Sequence, residues 1–155
     1  MSLKEDLKTE NVTYLDLSRF SQVASGSPVR AVVDQMRANK SNVCLITYGE
    51  QLKGIFTSRD LVRRVMTKPE LLDAVIDEVM TSDPLTVPPD TAAAAAFWLM
   101  DDKGFRDLPV VDENGAIVGN MNHRSIMNYL AARYPSLIIN LPPRPDHFPH
   151  QAEGG

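Results

Sequence analysis

The chain has 155 residues and a mass of 17.2 kDa, enough for one compact domain or two very small ones. Hydrophobic residues make up 43% and charged residues 23%, which excludes disorder of the whole chain. Its 16 basic and 20 acidic side chains leave a net charge of −4, which speaks against a strongly basic nucleic-acid binder. A single cysteine, Cys44, excludes an internal disulfide framework. No apolar run approaches the roughly 20 residues of a membrane span, and the opening MSLKEDLKTE has no signal-peptide core. The expectation is a soluble, cytoplasmic protein. The opening MSL and closing EGG are expected to be cloning remnants and are set aside.

Taken in chain order, a short extended piece is expected over residues 13–17. Ser27 and Pro28 stand where an N-cap and a first helical residue belong, and Val29, Val32, Val33 and Met36 then form one apolar stripe of a helix. Residues 43–60, VCLITYGEQLKGIFTSRD, carry two short apolar runs about a polar turn, followed by a helix over about residues 58–66. Pro69 opens a short connecting helix, and residues 85–87 form a second extended piece. Asp90 is placed to cap a helix over residues 91–100, whose five alanines favour that state. Residues 107–125, DLPVVDENGAIVGNMNHRS, repeat the strand, turn, strand and helix-start pattern, and a helix over about 123–133 follows. Gly119 aligns with Gly54, and Leu108 with Cys44. Residues 135–155 hold five of the eleven prolines and are expected to be extended or disordered. The division is thus an N-terminal segment at 1–11, a first repeat at 12–68, a connecting helix at 69–78, a second repeat at 79–133 and a tail at 134–155. Each repeat of about 60 residues is marginal alone, so the two are expected to pack as one pseudo-symmetric unit.

Three motifs now stand together: Gly54-Ile55-Phe56-Thr57-Ser58-Arg59-Asp60, Leu108-Pro109-Val110-Val111-Asp112, and Val79-Met80-Thr81 opening the second repeat. With the duplicated spacing, the chain resembles a pair of CBS domains, the module named after cystathionine beta-synthase, over residues 12–133. The resemblance implies an α/β (α+β) fold of two repeats, each a small sheet with flanking helices. It implies an adenine nucleotide held between the repeats: AMP, ADP or ATP, with S-adenosylmethionine or NADH behind them. It also implies a homodimer and regulation of an effector protein rather than catalysis. From the residues themselves no metal or membrane partner is expected, and the lack of aromatic interleaving speaks against nucleic acid, to which some such modules are coupled.

The candidate site centres on Thr57 and Asp60. The strand over residues 52–56 runs into a helix start, whose free N–H groups suit an anion. Asp60 can accept two hydrogen bonds from a vicinal diol, Thr57 can donate to ribose or phosphate, and Arg59 supplies positive charge. By the resemblance, Asp60 holds the ribose hydroxyls, while Thr86 and the backbone near Phe105 and Arg106 line the adenine and phosphate sides. Thr57 and Asp60 also have the spacing of a capping box, and the two roles are compatible. In the second repeat Asn122 replaces the threonine and Ser125 the aspartate. Asn122 still caps well, but Ser125 cannot make two charge-assisted bonds to a diol, so the second site is expected to be weak or empty. His123 reads as a solvated helix-start residue, and Arg124, matching Arg59, can touch a phosphate.

Other features read as structural. His123, His147 and His150 are too scattered for a metal site, and Cys44 reads as a buried apolar side chain. No serine triad and no GxxxxGK[ST] phosphate loop is present. Arg59, Arg63, Arg64 and Lys68 read as a solvated helix face. The helix carrying Ala94, Phe97, Trp98 and Met100 is expected to supply an apolar dimer face. The leading functional reading is therefore a regulatory nucleotide-binding module that is not an enzyme. The alternative is a ligand-free structural dimerisation module.

Overall fold

A computed structural model of the chain describes residue 5 and residues 8–134. The expectations for the proline-rich tail, and for His147 and His150 within it, lie outside the described residues. A 3-10 turn, Val12–Tyr14, opens the described chain and leads to β1 (Ser21–Ala24), α1 (Val29–Asn39), β2 (Val43–Tyr48) and β3 (Gln51–Thr57). Helix α2 begins at Ser58–Asp60 and continues as a π-helical turn, Leu61–Val65. Two 3-10 turns, Pro69–Asp73 and Ile76–Glu78, connect it to β4 (Thr81–Ser82). The second repeat consists of α3 (Ala93–Lys103), β5 (Asp107–Val111), β6 (Ile117–Asn122) and α4 (His123–Arg133).

In the first sheet the strand order follows the chain, with β1 parallel to β2 and the remaining neighbours antiparallel. The second sheet is the antiparallel pair β5–β6, extended by a parallel bridge between Val87 and Val110. The opening pairs of the two hairpins, Val43 with Thr57 and Asp107 with Asn122, are equivalent. This register relates the repeats residue by residue.

The predicted stripe forms as expected, with Val29, Val32 and Met36 of α1 buried. The caps differ from expectation. Ser27 turns its hydroxyl back to the Ala24 carbonyl, at 2.7 Å, and Pro28 takes the N-cap position without a side-chain bond. Helix α3 starts after Ala92 rather than Asp90. In both helices the first N–H is satisfied by a distant backbone carbonyl, Val29 by Ala74 at 2.9 Å and Ala93 by Glu10 at 2.8 Å. A strand-like neighbour thus replaces the side-chain cap, which local sequence does not encode.

The extended piece expected at 13–17 is likewise displaced, because those residues belong elsewhere. Val12 and Leu15 are buried in the core of the second repeat, beside Met100, Leu108 and Met121, with Leu17 packed against it. Reciprocally, Ile76, Val79 and Met80, in the segment that leads into the second repeat, are buried in the core of the first, beside Val32, Cys44 and Phe56. Each lead-in crosses its strand at the aligned glycine. A Cβ on Gly54 would collide with the Met80 thioether, and one on Gly119 with the Leu17 side chain and, at 2.8 Å, its carbonyl oxygen. The expected interface also changes, since Met100 is fully buried in its own repeat and does not face outward.

One polar cluster fastens the crossing at the first repeat. Asp77 accepts from the Ser25 hydroxyl, from the Gly26 N–H at 2.8 Å and from the Lys53 ammonium at 3.0 Å. Chiefly the Ser25 hydroxyl, then the Gly26 N–H and Lys53, hold its carboxyl far below the usual carboxylate range.

Two outcomes follow from this packing. Met80 can swing its thioether aside, whereas the Leu17 Cβ and carbonyl cannot move without the backbone. Gly119→Ala is therefore expected to cost about 1–3 kcal/mol and Gly54→Ala less. Denaturant midpoints decide, and equal or reversed costs overturn the assignment. A carboxyl with a lowered native pKa adds stability above its unfolded value of about 4 and loses it as pH falls. Asp77→Asn should thus lower Tm by about 3–10 °C at pH 7. The gap between the two melting curves should narrow below about pH 4. A gap independent of pH contradicts it.

Candidate functional site

The two repeats enclose a cleft of about 1180 Å³. The first repeat contributes Val43 and Ile55 from β2 and β3, and Thr57, Arg59 and Asp60 from the start of α2. The second contributes Phe105, Arg106 and Asp107 before and at β5, and Asn122, His123 and Arg124 at the start of α4. Five of the sequence-predicted residues therefore line one cavity. Thr86 is half-buried and stands outside the lining.

The capping box at Thr57 is complete. The Asp60 N–H donates to the Thr57 hydroxyl at 3.2 Å, and Asp60 Oδ2 accepts from the Thr57 N–H at 2.9 Å and its hydroxyl at 3.1 Å. The Ser58 N–H is also taken, by the Asn42 carbonyl at 2.9 Å. Two of the N–H groups expected to meet an anion are thus already satisfied, and attraction for an anion falls to side chains. Asp60 is 17% exposed, and its Oδ1 lies 3.8 Å from Arg64 Nε. A carboxylate has about four acceptor sites. Thr57 uses two of them, so Oδ1 keeps capacity for a diol.

Arg64 is not the free surface cation the sequence suggests. Its Nη1 donates to the Val79 carbonyl at 2.7 Å. Val79 is buried in the segment that crosses from one repeat to the other. The π-helical turn Leu61–Val65 carries this arginine.

The second half of the cleft is built on the same backbone with different chemistry. Asn122 and Ser125 form their own capping box, with the Ser125 N–H donating to Asn122 Oδ1 at 2.9 Å and the Asn122 N–H to Ser125 Oγ at 3.2 Å. Ser125 is fully buried and does not line the cleft, so nothing stands there for Asp60. A carboxylate appears instead on the floor. Asp107, equivalent by register to Val43, accepts from Asn120 Nδ2 at 3.0 Å. Burial pushes its carboxyl up from the ordinary value, against the Asn120 bond and the charges of His123 and Arg106.

Sequence reasoning missed three charged residues of the cleft, Arg19, Lys40 and Asp107. Lys40 has a φ of +52° where the equivalent Gly104 has +70°. A side chain in that left-handed position carries a cost glycine avoids, and aligning the repeats would have flagged it. With these residues the lining holds five permanent cations, Arg19, Lys40, Arg59, Arg106 and Arg124, against the carboxylates of Asp60 and Asp107. The cleft is therefore locally basic in a chain whose net charge is −4. Cys44 is buried behind it, and burial pushes its thiol up to about 12, so it is no nucleophile at neutral pH. His123 is exposed and stacks obliquely with Phe97, ring centres 6.1 Å apart. No helix among the described residues is long and apolar enough to cross a membrane.

Comparison with known proteins places this architecture. The family model for the CBS domain matches residues 6–67 and 76–132. An uncharacterized protein of Methanopyrus kandleri is 36% identical over 118 residues, covering 71% of this chain and 60% of that protein. A CBS domain-containing protein of Arabidopsis thaliana is 33% identical, over 65% of this chain and 18% of its own length. The chain thus spans less than two thirds of these relatives. Among solved structures, a CBS domain protein of Pyrobaculum aerophilum complexed with AMP superposes with a TM-score of 0.69 at 20% identity, covering 79% of this chain and 99% of that one. The cytosolic domain of the Mg2+ channel MgtE in complex with ATP superposes with a TM-score of 0.66 at 25% identity, covering 81% and 52%.

Proposed function

The chain belongs to the CBS domain family, and we propose that it is a regulatory module, not an enzyme, that binds one adenine nucleotide in its inter-repeat cleft and reports it to an effector protein. The observation that carries this reading is the basic cleft with one diol-accepting carboxylate. Val43 and Ile55 offer an apolar floor for the flat face of a base, Asp60 Oδ1 accepts the ribose hydroxyls, and the surrounding arginines attract phosphate. Solved family members hold AMP and ATP, which supports an adenosine ligand here. Loss of the second carboxylate to the buried Ser125 limits adenine binding to one per chain.

Asp60→Ala should weaken AMP binding more than tenfold while costing about 1 kcal/mol of stability through the lost cap. Titration calorimetry of the unaltered chain should saturate at one AMP. Unchanged affinity in the variant would leave Asp60 with capping alone, and saturation at two equivalents would overturn the single site.

A second copy of the chain is the partner favoured by the surface. Val62 and Met66 on or just after α2, Trp98 on α3 and Met127 on α4 are 63%, 62%, 65% and 49% exposed. Val62 and Met127 occupy equivalent positions, so both repeats present an apolar residue at the same place. Pairing like faces about a two-fold axis covers them together. We expect a hydrodynamic mass near twice 17.2 kDa at micromolar concentration, falling toward the monomer in Trp98→Glu. If dimers form but no nucleotide binds, the ligand-free dimerisation module replaces the sensor. A monomer throughout removes the dimer from both readings.

A further inference from the structure

The two halves of the cleft differ most at their floors. By register, Val43 and Ile55 of the first repeat correspond to Asp107 and Asn120 of the second. An apolar pair is thus replaced by a carboxylate and an amide. Asp107 lines the cleft, while Asn120 lies fully buried and holds it at 3.0 Å. The Asn120 main chain is fixed by its N–H, which donates to the Leu17 carbonyl at 2.9 Å within the lead-in crossing, and its side chain is confined by full burial. The Asn120 side-chain oxygen is buried without a hydrogen-bond partner among the described residues. Of the four acceptor sites on the Asp107 carboxylate, Asn120 uses one.

This floor rejects what the first half accepts. Laying the face of adenine on Asp107 would strip water from a carboxylate and return nothing. The edge of adenine fares little better, since its ring nitrogen N1 is an acceptor facing an acceptor. A base that offers two adjacent N–H donors satisfies the carboxylate with two parallel bonds. Guanine does so through N1–H and the 2-amino group. Arg106 and Arg124 line the same half and supply charge for a phosphate attached to that base.

We propose that the second half of the cleft is a guanine-nucleotide subsite, distinct from the adenosine site at Asp60, in which the Asp107 carboxylate accepts N1–H and the 2-amino group of the base. This rests on the reading of the cleft as a nucleotide site, but it depends on a different repeat and a different carboxylate. The module then senses two nucleotide pools, one through each half.

The test is calorimetry with GMP, IMP, XMP and AMP on the full chain and on two variants. GMP should bind the unaltered chain, and IMP, which lacks the 2-amino group, about tenfold more weakly. Asp107→Asn keeps the shape and the contact to Asn120, but presents one donor and one acceptor. It should lose GMP more than tenfold and gain XMP, whose N1–H and 2-carbonyl match that pair, while AMP binding stays within about twofold. Asp60→Ala should reverse this pattern, losing AMP and keeping GMP. GMP that fails to bind at millimolar concentration, or survives Asp107→Asn, or disappears with Asp60→Ala, overturns the proposal. GMP binding that depends on Asp107 in a chain that ignores AMP would uphold this subsite and overturn the adenine reading instead.

Discussion

Everything in this molecule depends on the reciprocal crossing of its lead-in segments. Val12, Leu15 and Leu17 close the core of the second repeat, and Ile76, Val79 and Met80 close the core of the first. Neither repeat contains enough apolar surface to finish its own interior, and each borrows the missing side chains from the chain that leads into the other. The aligned glycines are the points of closest approach, since Met80 and Leu17 occupy the space a Cβ would need. The crossing also accounts for the missing helix caps. The carbonyls of Ala74 and Glu10 arrive with the crossing segments and satisfy the first N–H of α1 and α3. The cleft between the repeats is a product of this exchange, because the same segments that fill the cores hold the two sheets beside each other.

On this symmetric backbone the side chains are not symmetric. Both halves start a helix with a full capping box, so the backbone requirement is met twice. What each half offers a ligand is set by positions the backbone leaves free. Asp60 reaches the cleft in the first half, whereas its counterpart Ser125 is spent on capping and buried. Val43 gives way to Asp107 on the floor, and Gly104 stands where Lys40 brings a cation. The two repeats share the scaffold and differ at cleft positions that the crossing does not use.

The sequence made the repeat, the helix stripe of α1, the burial of Cys44 and the capping role of Thr57 and Asp60 legible, because each depends on spacing within a few residues. It misplaced what depends on partners far along the chain. Ser27 and Asp90 looked like caps because local pattern says so, but backbone carbonyls 45 and 83 residues away from the capped N–H groups do the work. Residues 13–17 looked like the first strand of the first repeat because they precede it, yet their apolar side chains serve the second. Met100 looked available for an interface until the helix was rotated by its packing on Leu108 and Met121. Asp107 was hidden for a related reason: aligning Leu108 with Cys44 already sets it against Val43, but only the packing of the two repeats shows that this position lines the cleft.

The crossing and the cleft meet at Arg64. Its guanidinium stands 3.8 Å from Asp60 and donates to the Val79 carbonyl at 2.7 Å. The carboxylate that faces the cleft and the backbone that enters the neighbouring repeat therefore share one cation. In a regular α-helix, residues 60 and 64 would stack one turn apart. The π-helical turn over Leu61–Val65 widens that spacing. Where α4 runs on as a regular α-helix, this turn has Val65 in the core and Arg64 on the Val79 carbonyl. Any group that bonds Asp60 Oδ1 competes with Arg64 for it, while the Arg64 bond to the Val79 carbonyl uses a different nitrogen. The cleft carboxylate and the segment that closes the core of the first repeat thus meet at one side chain.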